Sequence, residues 1–316
     1  WYSTLILLKK RMYRILIPLL LLLGCKSSGP EQAVLDSAEY ATLNGFTFFI
    51  RQVGSGVPVL VCHGGPGLDH TYLMPQMGRL AKDARLIFYD QRACGLSGHI
   101  VDSSMMRLDT FLNDMEAIRM HLGLERMAVL GHSFGGFLAM AYAAKYPDRV
   151  SHLILMNSMP PTYTLWQQNN DALFNRITPA QRQEITTVQQ SDAYMLGEAK
   201  GYEELFRVMY KLQFADPERI DSLTMTLQPD FETTSQTFNA MMPDLINYDY
   251  TGQLKMLKAP VLVIYGDHEP GVDRTIQTFQ EINPSWKLVK LPDCGHFPYI
   301  EAFPELERAI ASFTKQ

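Results

Sequence analysis

The sequence predicts an α/β fold whose central sheet is mostly parallel and is covered by helices on both faces. Short apolar runs rich in Val, Ile and Leu recur along the chain, and segments with helical periodicity separate most of them. Strands that alternate with helices in this way form parallel sheets with two buried faces. From residue 159 to residue 250 the strand-like runs vanish and the periodicity is helical, which predicts an inserted helical cap.

Length, charge and cysteine usage exclude several classes of protein. The 316 residues are 47% hydrophobic, which is enough to bury a large core. The net charge is -5 and no basic stripe is visible, so we predict no nucleic-acid partner. The four cysteines are too scattered for a disulfide framework or a zinc site. The sequence has neither a P-loop nor an H-E-x-x-H motif, and we predict no cofactor and no metal.

Residues 1–24 are predicted to be a signal peptide. Four basic residues between positions 9 and 14 precede an apolar run at 15–23, which is too short for a transmembrane helix. The run ends in Leu-Gly-Cys at Cys25, which resembles a bacterial lipoprotein processing site. We therefore expect residues 25–37 to be a lipidated tether that anchors an exported protein in the bacterial cell envelope, on its periplasmic or surface face. An ordinary cleaved signal with an incidental Cys25 is the alternative.

The elements of the core follow in the order that this fold requires. Asn44-Gly45 between two alternating runs predicts a hairpin of strands at 40–43 and 46–53. Further buried strands are predicted at residues 58–62, 85–89, 127–130, 150–156, 260–265 and 286–291. Helices are predicted directly after Ser133 and at residues 109–122, 202–212 and 304–313. The core therefore comprises residues 38–158 and 251–316, with the cap at 159–250 between them.

The stretch Gly131-His132-Ser133-Phe134-Gly135 predicts a nucleophilic serine. It joins a buried strand to a helix, and this context gives the Gly-x-Ser-x-Gly pattern its meaning. The turn is tight, and the glycines remove side chains that would collide there. Ser133 is then held above the edge of the sheet, close to the start of a helix.

A serine hydroxyl needs a base, and the base needs a carboxylate to orient it. In this fold the chain order is serine, acid, histidine. His296 follows the last predicted strand and is the candidate base. Glu269 and Asp267 both follow the preceding strand and are the candidate acids. Gly266-x-x-Glu269 resembles the Gly-x-x-Asp that hydrolases of this fold commonly have there, and this resemblance favours Glu269 as the acid and leaves Asp267 as a supporting residue.

The negative oxygen of the reaction intermediate needs two N–H donors. We expect one from Phe134, directly after the nucleophile, and one from Gly65, in the glycine-rich loop that follows the strand at 58–62. That loop is not a dinucleotide site, because it lacks the spacing G-x-G-x-x-G and Pro66 has no N–H.

Four motifs together resemble serine α/β-hydrolases of the proline iminopeptidase type. They are His-Gly-Gly-Pro-Gly at 63–67, Asp-Gln-Arg-Ala-Cys-Gly-Leu-Ser at 90–97, Gly-His-Ser-Phe-Gly-Gly at 131–136 and Gly-His-Phe-Pro at 295–298. The resemblance implies an α/β-hydrolase fold and an enzyme that removes an N-terminal residue, often proline, from short peptides or cleaves amino-acid amides. It also implies an acyl-enzyme and no metal. Glu269 departs from the family, which usually has Asp there.

The same resemblance implies that carboxylates, partly from the cap, bind the free amine of the substrate. The run at 202–210 is most similar to the family's cap, which favours Glu203 or Glu204, with Glu204 as the substrate-binding candidate. A solvated helix face is the alternative for both residues. The cap also offers Asp230, Glu232, Asp244 and Asp249.

Two other functions remain open from the sequence. A general carboxylesterase or small-molecule hydrolase of the same fold would lack a carboxylate facing the pocket for the acyl group. A surface lipoprotein that uses the fold only for binding would not need the serine, the acid and the histidine, all of which are present.

Overall fold

The computed structural model describes residues 35–65, 67–74, 76–99 and 102–315, except the side chains of Thr233 and Thr237. The predicted signal peptide, Cys25 and most of the predicted tether lie outside these residues, and the lipid anchor stays a prediction. Residues 36 and 37 belong to the first strand rather than to the tether. In the described ranges, no helix has the length and apolar character needed to cross a membrane.

The described residues form one eight-stranded sheet, which confirms the predicted fold class. Its spatial order is β1-β2-β4-β3-β5-β6-β7-β8. The first two strands and β4 are joined by antiparallel pairings, and all other neighbours are parallel. The strands are β1 (Asp36–Leu43), β2 (Phe46–Val53), β3 (Val57–Cys62), β4 (Ala84–Tyr89), β5 (Met127–His132), β6 (Val150–Met156), β7 (Val261–Gly266) and β8 (Lys287–Leu291).

The helices lie between and after these strands, and short 3-10 turns fill several of the remaining connections. Their bounds are α1 (Leu108–His121), α2 (Phe134–Lys145), α3 (Tyr163–Phe174), α4 (Pro179–Gln189), α5 (Asp192–Met195), α6 (Ala199–Lys211), α7 (Phe231–Thr237), α8 (Met242–Leu245), α9 (Thr251–Lys255), α10 (Val272–Ile282), α11 (Pro298–Glu301) and α12 (Phe303–Phe313).

The inner strands of the sheet are buried on both faces. Along β3, Leu60 and Cys62 pack into one apolar cluster, which also contains side chains of α1 and α2. The alternate residues Val59 and Val61 pack into a second cluster, which contains side chains of α12. Alternate side chains of a strand point to opposite faces, so a strand buried on both sides becomes a continuous apolar run. This is why the core strands were readable from the sequence.

Residues 159–250, the predicted cap, contain α3 to α8. A bridge between Thr162 and Asp249 brings the two ends of this segment together. Aromatic contacts hold it on the core: the rings of Phe214 and Phe297 are stacked with centroids 4.6 Å apart, and Tyr248 packs edge-on against Phe137 at 4.9 Å. The segment therefore leaves the core after β6, returns to it before β7 and lies over the loop that carries His296.

Candidate active site

Ser133 occupies a strained turn between β5 and α2. Its backbone has φ 56° and ψ -123°, a conformation that an L-residue adopts only where the surroundings enforce it. The turn is enforced by close packing: a Cβ on Gly135 would collide with the carbonyl groups of Cys62 and His63, and one on Gly131 would collide with the Gly135 carbonyl. Glycines at both positions allow α2 to begin directly above the end of β3.

Glu269 and His296 meet at the carboxyl ends of the last two strands. Glu269 lies in the turn after β7, and His296 lies after β8. The Nδ1 atom of His296 is 3.0 Å from both carboxylate oxygens of Glu269. Because a carboxylate accepts hydrogen bonds, this contact places the ring proton on Nδ1 and leaves Nε2 able to accept a proton.

Asp267, the other candidate acid, has its hydrogen-bond partners in Cys294 and His268 rather than in His296. Its Oδ1 atom accepts a hydrogen bond from the backbone N–H of Cys294 at 3.2 Å and lies 2.8 Å from Nδ1 of His268. These contacts tie the loop after β7 to the loop after β8. The structure thus pairs Glu269 with His296 and places Asp267 between the two loops.

Ser133, Glu269, His296 and Gly65 line one cavity of about 190 Å³. The Ser133 hydroxyl and the His296 ring face this common space without a hydrogen bond between them, and in sites without a substrate this bond is often long. Among the described residues, the N–H groups of Gly65 and Phe134 find no acceptor. Gly65 lines the cavity, and Phe134 follows Ser133 directly in the chain.

A chain of hydrogen bonds connects the Gly65 loop to the His296 loop. The Gly64 N–H donates to the Tyr72 hydroxyl at 2.6 Å. That hydroxyl lies 2.7 Å from Nδ1 of His132. The other ring nitrogen of His132, Nε2, lies 2.8 Å from the carbonyl oxygen of His296. Since the carbonyl can only accept, Nε2 carries the proton and Nδ1 accepts from Tyr72. Burial, with the nearby His296, lowers the pKa of His132 well below its ordinary value, so this ring stays neutral.

The loop at 90–97 is fastened to the 3-10 turn at residues 70–72, which follows the glycine-rich loop. Asp90 accepts hydrogen bonds from the backbone N–H and Nδ1 of His70, at 2.9 and 2.7 Å. Asp69, His70 and Asp90 are close enough to form a metal-ligand cluster, but Asp69 already accepts from Thr71 and the Asp90 oxygens from His70 and Leu96. We therefore assign this cluster to the architecture of the loops.

Asn157 is a site residue that the sequence analysis missed. It follows β6, is fully buried, and its Nδ2 donates to Oε2 of Glu269 at 2.6 Å and to the Gly295 carbonyl at 3.0 Å. Its φ of 41° lies in the left-handed region, which asparagine tolerates better than most residues. The available signal was positional: Asn157 ends β6 as Ser133 ends β5, at the same edge of the sheet.

The match to known families decides the classification of this architecture. A family model described as the alpha/beta hydrolase fold matches residues 57–303, from the start of β3 to the start of α12. The chain belongs to this family. The match covers the serine turn, Asn157, Glu269 and His296, and it makes the protein an α/β hydrolase.

This α/β hydrolase is similar to proteins with several names. It is 29% identical over 269 residues to a proline iminopeptidase from Heyndrickxia coagulans, covering 82% of this chain and 91% of the relative. The crystal structure of a proline iminopeptidase from Mycobacterium smegmatis matches with a TM-score of 0.66 and 22% identity, over 89% of this chain and 98% of that chain. The structure of a thermophilic esterase from Thermogutta terrifontis matches with a TM-score of 0.60 and 25% identity, over 88% of this chain and 98% of that chain. The predicted resemblance to proline iminopeptidases is confirmed.

The structure corrects the position expected for Glu204. The predicted helix is present as α6, but the Glu204 side chain is exposed and does not line the cavity of the hydrolase. Glu203 accepts a hydrogen bond from the Leu227 N–H at 2.7 Å, within the cap. The residue of α6 that does line the cavity is Tyr210. Helical spacing identified the helix, but it could not tell which side faces the serine.

Replacing Asn157 should impair catalysis while leaving the fold intact. We expect Asn157→Gly, which keeps the left-handed backbone but removes the amide, to lower kcat by roughly 10- to 100-fold with little change in KM, because Glu269 loses a charge-assisted hydrogen bond. The measurement is steady-state kinetics on an aminoacyl anilide or acyl ester that the hydrolase cleaves, with thermal unfolding as the control for stability. A kcat within twofold of the unaltered protein would show that the amide does not position Glu269.

Proposed function

We propose that this protein is a serine hydrolase that removes an N-terminal residue, proline or another small residue, from short peptides or amino-acid amides. The observation that carries the proposal is the contact between Glu269 and His296 at the rim of the cavity that Ser133 also lines. The similarity to proline iminopeptidases over most of the chain supports the choice of substrate. The cavity volume, about 190 Å³, is small beside the roughly 300–1,000 Å³ of drug-sized ligand sites, which suits a small acyl group.

In the proposed reaction, Oγ of Ser133 attacks the carbonyl carbon of the substrate. Its proton moves to Nε2 of His296, whose Nδ1–H remains bonded to the Glu269 carboxylate. The carboxylate holds the ring in the required tautomer and stabilises the imidazolium as it forms. The backbone N–H groups of Gly65 and Phe134 donate to the negatively charged oxygen, and each such donor contributes roughly 3 kcal/mol to the transition state.

The tetrahedral intermediate then collapses to an acyl-enzyme. The C–N bond breaks, and the proton on His296 passes to the departing amine. A water molecule attacks the carbonyl carbon of the Ser133 ester and gives a proton to His296. The C–O bond to Ser133 then breaks, the acid leaves, and His296 passes the proton to Oγ of Ser133. His296 accepts a proton in the first step of both halves and returns it in the second.

A general carboxylesterase or small-molecule hydrolase is the second candidate. A specific observation favours it: among the described residues, Glu269 is the one carboxylate that lines the cavity, and it is already bonded to His296 and Asn157. The 25% identity to a thermophilic esterase is in line with this alternative. The acyl-enzyme chemistry would be the same, with an alcohol as the leaving group.

A panel of substrates distinguishes the two functions. We expect the protein to hydrolyse small aminoacyl amides, such as prolyl or alanyl anilides, in preference to simple acyl esters once each rate is corrected for spontaneous hydrolysis. The measurement is kcat/KM for each member of the panel, with Ser133→Ala as the inactive control. Rapid cleavage of acyl esters with no cleavage of any aminoacyl amide would replace the proposed function by the second one.

A further inference from the structure

The described lining of the cavity beside Ser133 offers little negative charge. Among the described residues, Glu269 is the one carboxylate that lines this cavity. A smaller neighbouring cavity, which Ser133 also lines, has no carboxylate in its described lining. Both oxygens of Glu269 lie 3.0 Å from Nδ1 of His296, and Oε2 also accepts from Asn157. The one carboxylate of the cavity is therefore already bonded to the base and to Asn157.

The six carboxylates of the cap that the sequence offers as candidates lie outside the lining of the cavity. Asp230 pairs with His99 at 2.7 Å, and Asp244 pairs with Arg107 at 2.6 Å. Glu204 is exposed. The remaining three accept hydrogen bonds from nearby backbone or side-chain groups; they are Glu203, Glu232 and Asp249. No carboxylate of the described cap lines the cavity, so the described part of the cap supplies no counter-charge for an ammonium group.

Neutral hydrogen-bonding groups take the place of a counter-charge. Asn170, Gln213, Tyr210 and Trp166 line the cavity and are half-buried. Each of these four side chains lacks a hydrogen-bond partner in the described chain. The groups without a partner are the amides of Asn170 and Gln213, the Tyr210 hydroxyl and the Trp166 indole N–H. A partly buried polar group without a partner gains when a ligand supplies one, whereas a buried ammonium without a carboxylate is penalised.

We propose that this cavity selects substrates whose acyl group is uncharged and offers hydrogen-bonding groups of its own. The inference rests on the proposed function and narrows it: the N-terminal residue is bound without a positive charge. A lactam ring fits this description, because its N–H donates and its carbonyl accepts while the ring remains neutral. Proline has the same five-membered ring with a secondary amine, which is protonated at neutral pH and would enter the cavity as a cation.

The experiment compares 5-oxoprolyl and prolyl amides of the same fluorogenic amine, 7-amino-4-methylcoumarin. At pH 7 we expect kcat/KM to be about tenfold or more higher for the 5-oxoprolyl amide, because the prolyl amide must first lose a proton or carry its charge into the cavity. Raising the pH should increase kcat/KM for the prolyl amide relative to the 5-oxoprolyl amide. A prolyl amide that is cleaved faster at pH 7 would overturn the inference.

Two variants test the same point by adding the missing charge. Asn170→Asp and Gln213→Glu each place a carboxylate among the cavity residues. At least one of them is expected to raise the ratio of kcat/KM for the prolyl amide to kcat/KM for the 5-oxoprolyl amide by about tenfold. Glu204→Ala is the control, and its ratio should not change because that side chain is exposed and outside the cavity. A ratio that depends on Glu204 and on neither cavity amide would contradict the inference.

The outcome also separates this inference from the proposed function. If neither amide is cleaved while acyl esters are, the function as an amide hydrolase fails. Prolinamide and 5-oxoprolinamide are then compared as competitive inhibitors of ester hydrolysis at pH 7. Tighter binding of 5-oxoprolinamide would uphold the neutral cavity, and tighter binding of prolinamide would refute it.

Discussion

Replacing Ser133 with alanine is expected to abolish hydrolysis, with a loss in kcat on the order of a million-fold. The side chain sits at the strained turn above β5, where its Oγ faces the cavity shared with His296. Without the hydroxyl no acyl-enzyme can form, and the backbone donors of Gly65 and Phe134 can give only residual rate enhancement. A fluorophosphonate probe should label the unaltered protein at Ser133 and should fail to label Ser133→Ala.

Ser158 provides a matched control, because it is a second serine in the same cavity. Its hydroxyl lies 3.0 Å from the Tyr265 hydroxyl, which also donates to the Ser158 carbonyl at 2.7 Å. The Tyr265 hydroxyl therefore keeps a partner in Ser158→Ala, and we expect that variant to retain activity and labelling within a few-fold. Labelling that persists in Ser133→Ala and disappears in Ser158→Ala would identify Ser158, and not Ser133, as the nucleophile.

The sequence predicted the parts of the site that are fixed by local geometry. Gly131 and Gly135 are required because any side chain there would meet backbone carbonyls, and the same requirement identifies Ser133 as the residue between them. The parallel strands were equally readable, since both faces are buried and the apolar runs are continuous. His296 and Glu269 followed from the order of elements, which brings the loops after β7 and β8 to one edge.

The parts that depend on long-range packing were not predictable. The resemblance of residues 202–210 to the family's cap favours Glu204. The side of α6 that faces the cavity is determined instead by how the cap packs on the core, where Phe214 stacks on Phe297. Asn157 carries no motif, and its role depends on the position of Glu269, which is distant in the sequence. Such contacts between separate loops leave no periodic signal in the chain.

Replacing Glu269 with glutamine is expected to lower kcat by roughly 10⁴-fold while preserving the fold. The amide of Asn157 donates to Oε2 at 2.6 Å, so it requires an oxygen at that position in the glutamine. The glutamine NH₂ group would then occupy the Oε1 position, 3.0 Å from Nδ1 of His296. Because this group donates, Nδ1 must accept and the ring proton moves to Nε2. The ring can then no longer accept the proton of Ser133.

Asp267→Asn is the matched control for that change. Its Oδ1 atom would still accept from the Cys294 N–H, and the residue makes no contact with His296, so we expect kcat to stay within a few-fold of the unaltered protein. Steady-state kinetics on both variants, with thermal unfolding to verify the fold, gives the comparison. A large loss in Asp267→Asn with a small loss in Glu269→Gln would require Asp267 to reach the imidazole during turnover. The pairing of Glu269 with His296 would then be a resting arrangement, and the acid that assists catalysis would be the other carboxylate of the same loop.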